Sequence, residues 1–113
     1  MDHGLEGKRA LVTGAGSGIG RAIAEALARQ GAIVALHGRD DSRTAAVQES
    51  IAAAGGEAFP VTADLLDSRA IKAMCDSVLQ RFGGIDIVVN NAGWADFSPV
   101  QEMKEAMYLA FRS

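Results

Sequence analysis

The sequence contains little of several residue types, and each shortage argues against a class of protein. Its one cysteine, Cys75, excludes a disulfide framework and a thiolate zinc site, and we expect it to be a small core residue. The two histidines, His3 and His37, lie far apart, so no metal site is expected. The net charge is −3 and there is no basic block, which argues against binding to nucleic acid or to an anionic membrane.

Long apolar runs are also missing. No stretch approaches the roughly 18–20 apolar residues that a membrane-spanning helix needs. Residues 1–9 include Asp2 and Glu6 and have no apolar core, which argues against a secretory signal peptide. We therefore expect a soluble, cytoplasmic protein.

Apolar residues and glycine are plentiful instead. Apolar side chains make up 49% of the 113 residues, which is enough to bury a core, and the length fits one domain over residues 1–113. The 13 glycines are about twice the usual share of ~7%. A glycine excess of this kind directs attention to tight turns and to close backbone contacts.

Four short apolar runs predict β-strands. They lie at 10–13, 33–36, 58–61 and 85–89, and each is bounded by turn residues or by helical periodicity. Pro60 lies in the third run and places that strand at a sheet edge, because proline cannot donate to a strand ladder.

Segments with helical periodicity follow the apolar runs. The predicted helices run from the first glycines to Gly31, from about Asp41 to Gly55, from a cap at Asp67 or Ser68 to Gly83, and from Pro99 toward the C-terminus. Their expected core-facing positions are Ile19, Ile23, Ala26 and Leu27, then Ala45, Val47 and Ile51, then Ile71, Met74, Val78 and Phe82. This alternation predicts an α/β fold with a doubly wound, Rossmann-type parallel sheet and helices on both faces.

The first predicted strand leads into a glycine-rich turn and then a helix. The turn reads Thr13-Gly14-Ala15-Gly16-Ser17-Gly18-Ile19-Gly20. Glycines let the backbone approach a phosphate, and a helix N-terminus supplies free N–H groups and partial positive charge. The alternative is a plain tight turn. A P-loop is excluded, because Gly20-Arg21-Ala22 does not supply the Gly-Lys-Ser/Thr ending.

Two further motifs accompany this turn, Asp64-Leu65 after the third run and Asn90-Asn91-Ala92-Gly93 after the fourth. With the T-G-x-x-x-G-x-G spacing they make residues 5–113 resemble the short-chain dehydrogenase/reductase family, closest to its 3-oxoacyl-carrier-protein-reductase-like members. The resemblance implies a nicotinamide-dinucleotide oxidoreductase that transfers hydride to a carbonyl or from a secondary alcohol. It covers the N-terminal half of the family pattern, so we expect a fold truncated after about four strands.

The resemblance assigns cofactor contacts residue by residue. It implies phosphate contacts at Gly14, Ser17, Gly18, Ile19 and Gly20, adenine contacts at Asp64 and Leu65, and nicotinamide-ribose contacts at Asn91, Ala92 and Gly93. Asn90 would tie neighbouring strands together. For Asp64 the alternative is an aspartate at a turn or at the start of a helix.

The end of the second strand bears on the choice of cofactor. A dehydrogenase that prefers NAD carries an acidic residue about 20 positions after the glycine turn, and here that position is Gly38. Arg39 follows, and a guanidinium suits a 2′-phosphate. We expect a preference for NADP(H), with NAD(H) possible. The alternative is a solvent-facing arginine neutralised by Asp40 and Asp41.

The Ser, Tyr-x-x-x-Lys and Asn residues with which the family does its chemistry are not recognisable here. Tyr108 and Arg112 have the spacing of the pair, but arginine cannot relay a proton as lysine does, and Tyr108 is expected to be a half-buried helix residue. Ser98 is better explained as a helix cap. We assign no catalytic residue and expect this chain alone to be inactive.

Two functions therefore stay open. The chain is the cofactor-binding half of an NADP(H)-dependent oxidoreductase, or it is a non-catalytic nucleotide-binding module or truncated product that needs a partner. In either case the strand at 85–89 is an exposed edge rich in β-branched residues. We expect self-association or a partner chain to cover it.

Overall fold

Strands and helices alternate along the chain in the computed structural model, which describes residues 4–16, 18–39, 41–91 and 108–109, with the side chain of residue 41 left out. The elements are β1 (Arg9–Val12), α1 (Gly18–Arg29), β2 (Ile33–Gly38), α2 (Asp41–Ala53), β3 (Glu57–Thr62), α3 (Ser68–Phe82) and β4 (Ile87–Val89). The predicted order of elements is confirmed up to β4.

The four strands form one parallel sheet in the order β3-β2-β1-β4. Leu11 of β1 pairs with Ala35 of β2 on one side and with Val88 of β4 on the other. The chain thus moves outward from β1 to β3 and then returns to the opposite side of β1. This reversal confirms the doubly wound arrangement, and such a reversal creates a crevice at the carboxyl ends of the central strands.

The sheet separates two apolar cores, because successive residues of a strand face opposite sides. Ala10 and Val12 of β1 face α1 and α2, whereas Leu11 faces α3. The first core also contains Ala24, Ala28, Val34, Leu36, Val47 and Ile51, and the second contains Ala35, Phe59, Ile71, Met74, Cys75 and Val78. Both faces of β1 are therefore covered, which explains its continuous apolar run.

The face that α1 buries differs from the predicted one. Gly20, Ala24 and Ala28 are buried, while the predicted core residue Ile19 is 71% exposed. Predicted Ala26 is exposed as well, and Ile23 and Leu27 are half-buried at the border of the core. The prediction followed the largest apolar side chains. The helix instead turns its smallest residues toward the sheet, which allows a close approach.

The other helices agree better with the sequence. In α2, Val47 and Ile51 are buried and Ala45 is half-buried. The α3 stripe Ile71, Met74 and Val78 is buried, with Phe82 packed at its border, and Cys75 lies in the same core. Burial raises the pKa of the Cys75 thiol to about 11. The predicted role of this cysteine as a small core residue is confirmed.

Both ends of α3 are capped as predicted. The Asp67 carboxylate accepts the backbone N–H groups of Arg69 and Ala70, which the helix leaves without partners. At the other end Gly83 adopts a left-handed conformation with φ of 76° and donates its N–H to the Leu79 carbonyl.

The strand boundaries shift by a few residues. β2 and β3 extend past the predicted runs, to Gly38 and Thr62, and β3 with Pro60 lies at the edge of the described sheet as predicted. β4 begins at Ile87, two residues later than predicted, and Asp86 just before it is hydrogen-bonded to Arg9.

Little of the predicted last helix is described. Tyr108 and Leu109 are helical, and Tyr108 is 65% exposed, so the prediction of a half-buried tyrosine is wrong. Ser98 and Pro99, where this helix was predicted to begin, lie outside the described residues. Within the described ranges, no helix has the length and apolar character to span a membrane.

Arg9 and Asp86 join β1 to the start of β4 at the amino edge of the sheet. The Arg9 Nε and Nη2 atoms donate to the two carboxylate oxygens of Asp86 at 2.9 and 3.2 Å, and the Arg9 backbone N–H donates at 2.8 Å. Nη1 reaches the Phe82 carbonyl at the end of α3. A forked, charge-assisted pair of this kind fixes three elements together.

The opposite edge contains the closest approach of α1 to the sheet. A Cβ built on Gly20 would overlap the carbonyl oxygen of Gly14 and lie 2.7 Å from Asn91 Nδ2. Only glycine fits there, because the helix crosses directly over the turn that follows β1.

We predict that Asp86→Asn weakens the dependence of stability on acid. The pKa of Asp86 is lowered to about 2, first by the hydrogen bond from the Arg9 side chain and next by that from the Arg9 backbone N–H. A carboxyl group with a lowered folded-state pKa stabilises the fold above its unfolded pKa, and this contribution is lost as the pH falls through the folded pKa. Between about pH 4 and about pH 2 the free energy of unfolding should therefore fall more in the wild type than in Asp86→Asn, as measured by urea unfolding.

The control is Asp76→Asn, which removes the carboxylate of the exposed Lys72–Asp76 pair on α3. Exposed pairs within one helix contribute little. A pH dependence that both variants share equally would contradict the role given to Asp86.

We predict that Gly20→Ala destabilises the protein, although alanine is favoured in helices by about 0.5–1 kcal/mol. Overlap with the Gly14 carbonyl outweighs that gain, and overpacking of this kind costs about 1–3 kcal/mol. The matched control is Ala22→Gly, at an exposed position of the same helix, which measures helix propensity alone. A Gly20→Ala protein more stable to urea than the wild type would refute the close approach.

Candidate functional site

The carboxyl ends of all four strands lie at one edge of the sheet, because the strands are parallel. The glycine-rich turn follows β1, Arg39 follows β2, Asp64 comes two residues after β3, and Asn91 comes two residues after β4. The residues predicted to bind a cofactor thus come from four segments that meet at the same edge. Ligands bind at this edge in open α/β sheets.

The turn itself is open toward solvent at the start of α1. Gly14 and Gly18 have positive φ values of 64° and 60°, which only glycine adopts without strain. Gly18 and Ile19 are exposed, and a Cβ on Gly18 would meet nothing within 4 Å. The first N–H groups of a helix have no partner inside the helix, and the first turn of α1 holds no acidic side chain to compete for them. A phosphate group fits this position.

Hydrogen bonds from both neighbouring strands hold the turn in place. On the β2 side, His37 Nδ1 accepts the Gly14 N–H at 3.0 Å, and the His37 carbonyl accepts the Ala15 N–H at 2.8 Å. On the β4 side, Asn91 Nδ2 donates to the Gly14 carbonyl at 3.3 Å, and the Asn91 N–H donates to Thr13 Oγ1 at 2.9 Å. The turn is therefore held on two sides by residues of the protein itself.

Asn91 ties the strands together, a role that the sequence analysis gave to Asn90. Asn90 is exposed, whereas Asn91 is half-buried against the turn. Side chains alternate along a strand, and Val89 faces the α1 side, so the residue two positions later faces that side too. The assignment to Asn90 was wrong by one residue because it ignored this alternation.

Asp64 fulfils the turn role that was its alternative interpretation. One of its carboxylate oxygens accepts the Leu66 N–H at 2.9 Å, and its carbonyl accepts the Asp67 N–H at 3.0 Å. The side chain is exposed, and no described residue donates to its second oxygen, which is therefore available to a ligand. Leu65 is half-buried against the α3 core.

Arg39 is exposed at the end of β2. The pKa of His37 is lowered mainly by burial, and the positive charge of Arg39 acts in the same direction. Neutralisation by Asp40 and Asp41, the alternative interpretation, concerns side chains outside the described residues. Three predicted contact residues, Ser17, Ala92 and Gly93, lie outside them as well.

Two residues of the site escaped the sequence analysis. His37, which it considered only as a possible metal ligand, is 2% exposed and hydrogen-bonded through both ring nitrogens. Arg43, in the first turn of α2, is exposed and lies against the glycine turn, so that a Cβ on Gly16 would come within 2.9 Å of Arg43 Cβ. A polar residue that ends a fully apolar strand was the available signal for His37.

No group of three or more metal-binding side chains occurs in the described part of the chain. The polar groups of the site are backbone amides, the Thr13 hydroxyl, the Asn91 amide, the His37 imidazole and exposed charges. Such groups can bind a phosphorylated organic ligand and orient it.

Comparison with known proteins identifies the family. The family profile described as short chain dehydrogenase matches residues 8–110. An uncharacterised oxidoreductase of Methylorubrum extorquens is 44% identical over 105 residues, which are 92% of this chain and 42% of that protein. The 3-oxoacyl-acyl-carrier-protein reductase FabG of Staphylococcus aureus is 42% identical over 99 residues, with 87% and 40% covered. The chain spans about two fifths of the length of these relatives.

Solved structures show the same architecture. A metagenomic short-chain oxidoreductase crystallised with NADP is 39% identical, with a TM-score of 0.88 over 95% of this chain and 56% of that one. A short-chain dehydrogenase/reductase of Burkholderia phymatum crystallised with NAD is 30% identical, with a TM-score of 0.82 over 95% and 43%. The fold is the Rossmann-type sheet predicted from the sequence, and the chain belongs to the short-chain dehydrogenase family.

Proposed function

We propose that this chain is the cofactor-binding part of an NADP(H)-dependent short-chain oxidoreductase. The observation that carries the proposal is the glycine-rich turn, clamped between His37 and Asn91, with the N-terminus of α1 open beside it. Its place in the family supports a nicotinamide dinucleotide as the ligand. Residues 1–113 would then form a single NAD(P)-binding domain, and a cytoplasmic location stays a prediction of the sequence.

The pyrophosphate of the cofactor would lie at the start of α1. Free N–H groups and the partial positive charge of the helix stabilise an anion there. The exposed side chain of Ile19 would give the ligand an apolar surface at the same point. The residues proposed to contact the phosphates are Gly14, Ser17, Gly18, Ile19 and Gly20.

The adenine and nicotinamide ends would occupy opposite sides of the turn. Asp64 can accept the adenine amino group on its second carboxylate oxygen, since only one oxygen is used by the Leu66 N–H. Leu65 would pack beside the ring. Asn91, Ala92 and Gly93 would lie along the ribose of the nicotinamide, because they continue from β4 on the other side of β1.

The preference for NADP(H) rests on cations at the end of β2. Gly38 has no side chain to bind a ribose 2′-OH, and Arg39 is exposed beside it. Arg43 adds a second exposed guanidinium close to the turn. Related structures hold NADP in one case and NAD in another, so the family alone leaves the choice open. The two arginines favour the ligand with the extra phosphate.

The chemistry proposed for the whole protein is hydride transfer between the cofactor and a carbonyl or secondary alcohol. When bound, the nicotinamide supplies or accepts the hydride, and the protein supplies orientation. The residues of this chain bind the cofactor and fix its position. No general acid is assigned among them, so we propose that the 113-residue chain binds the dinucleotide without reducing a substrate.

We predict that the chain binds NADPH more tightly than NADH and that Arg39→Ala removes most of the difference. Loss of a charge-assisted contact at an exposed site should raise the Kd for NADPH about tenfold and leave that for NADH unchanged. Isothermal titration calorimetry measures both affinities, and quenching of the single tryptophan, Trp94, gives an independent signal.

The matched control is Arg29→Ala, which changes another exposed arginine, in the last turn of α1 at the far edge of the sheet. It should leave both affinities unchanged. If both variants weakened NADPH binding equally, the effect of Arg39 would be explained by the net charge of the protein and not by a contact with the cofactor. A folded wild-type chain that binds neither dinucleotide would overturn the proposed function and leave the family relationship as ancestry.

We also propose that the outer side of β4 pairs with a strand of another chain. In a solution of this chain alone, the partner is a second copy of it. β4 ends the described sheet, and no strand of the described ranges pairs with its outer side. Its residues Ile87, Val88 and Val89 are half-buried and β-branched, so the strand is a ready template for pairing.

Sedimentation velocity tests this proposal. We predict a weight-average mass above that of the monomer that rises with protein concentration. A single monomeric species across the concentration range, with little binding of an apolar dye, is the result that would refute it.

A further inference from the structure

We propose that His37 is a positioning residue for the cofactor, because its ring bridges the glycine-rich turn to the loop that carries Asp64. The proposal rests on the proposed function and deepens it. The turn would hold the pyrophosphate and the loop would hold the adenine, so one side chain sets the separation of the two parts of the ligand site.

The bridge is short and direct. His37 Nδ1 lies 3.0 Å from the Gly14 backbone nitrogen, and Nε2 lies 2.9 Å from the Ala63 carbonyl oxygen. Gly14 is 23 residues before His37 in the chain and Ala63 is 26 residues after it. Ala63 directly precedes Asp64, so the ring joins the two loops close to the ends of β1 and β3.

The two partners fix the protonation state of the ring. The Gly14 nitrogen is a donor, so Nδ1 must carry a lone pair, and the Ala63 carbonyl is an acceptor, so Nε2 must carry the proton. Both bonds exist together only in the neutral Nε2–H form. Protonation places a second hydrogen on Nδ1, opposite the Gly14 N–H, and this bond is then lost.

The surroundings of the ring favour the neutral form. His37 is 2% exposed, and burial is the main cause of its lowered pKa, with the positive charge of Arg39 acting in the same direction. The hydrogen bond to the Ala63 carbonyl acts in the opposite direction and raises the pKa of His37.

Few charged groups lie near the ring on the described elements that pack around it. Residues 10–16 carry no charge, Arg39 directly follows β2, Arg43 lies in the first turn of α2, and Asp64 lies in the loop after β3. Asp40 and the side chain of Asp41 lie outside the described residues. Arg39 is the charge with a resolved effect on His37.

The sign of the pH dependence follows from the direction of the shift. Because the folded-state pKa lies below the ordinary value of 6.5, the neutral ring stabilises the bridged state fully only above 6.5. As the pH falls below that value, a detached ring takes up a proton more readily than the bridged ring. Cofactor affinity should therefore decline with acidification, together with the protection of the Gly14 N–H from hydrogen exchange.

Two variants separate the two bonds. In His37→Asn the side-chain oxygen can replace Nδ1 and accept the Gly14 N–H, but the side chain is too short to reach Ala63. In His37→Gln the side-chain nitrogen can replace Nε2 and donate to Ala63, but no acceptor faces Gly14. Neither variant titrates near neutral pH, and both are compared with the wild type by calorimetry with NADPH across about pH 5.5–8.

At about pH 7.5 we expect both variants to raise the NADPH Kd, because each keeps only one bond of the bridge. The increase should be about threefold for His37→Asn and about tenfold or more for His37→Gln, which also frees the Gly14 N–H. Wild-type affinity should fall on acidification more than that of His37→Asn. Titration of the cofactor's own phosphate is common to all three proteins and cancels in this comparison. A purely structural histidine would change stability without changing the pH profile of binding.

Nitrogen NMR of the wild type keeps the test decisive if a variant fails to fold. A neutral ring with the proton on Nε2 at about pH 7.5 supports the proposal, and a proton on Nδ1 or a charged ring refutes it. Binding by the wild type with the same pH profile as His37→Asn also refutes it. Absence of any dinucleotide binding by the folded wild type would instead defeat the proposed function, with the NMR result still deciding the bridge.

Discussion

The parallel pairing of β1 with both β2 and β4 is the constraint on which the rest of the structure depends. It places β1 at the centre of the sheet, with Ala10, Leu11 and Val12 fully buried between two helical layers. A strand covered on both faces has no side chain left for binding, so it contributes through the backbone turn that follows it. That turn, in its place between β2 and β4, can be held from two sides at once, as it is by His37 and Asn91.

Most of the fold could be predicted from the sequence because its signals are local. Apolar runs marked the strands, and the Asp67 and Gly83 caps marked the ends of α3, since each depends on residues within one turn. The buried face of α1 could not be predicted in the same way. Gly20, Ala24 and Ala28 carry almost no apolar surface, and they face the sheet because the helix must approach the Gly14 carbonyl. The pattern of apolar residues in the sequence gives no sign of a close contact between two backbone segments.

The location of the candidate site could also be predicted from the sequence, whereas the hydrogen bonds within it could not. Its location followed from chain order, since loops after parallel strands meet at one edge, and Gly18, Arg39 and Asp64 lie there. The internal connections did not follow, because they join residues far apart in sequence. Asn91 rather than Asn90 contacts the turn, and His37 links two loops that no short motif connects. Ser17, Ala92 and Gly93 stay predictions.

Labelling of Cys75 by a thiol reagent can report local opening of the fold around α3. The thiol is fully buried in the α3 core, and its pKa of about 11 keeps it protonated at neutral pH, so a thiol reagent cannot reach a reactive thiolate in the closed state. Modification therefore waits until α3 separates from the sheet. The rate of labelling, under conditions in which the helix closes faster than the reagent reacts, measures the population of that opened state. Because this is the chain's one cysteine, the signal comes from a single place in the fold.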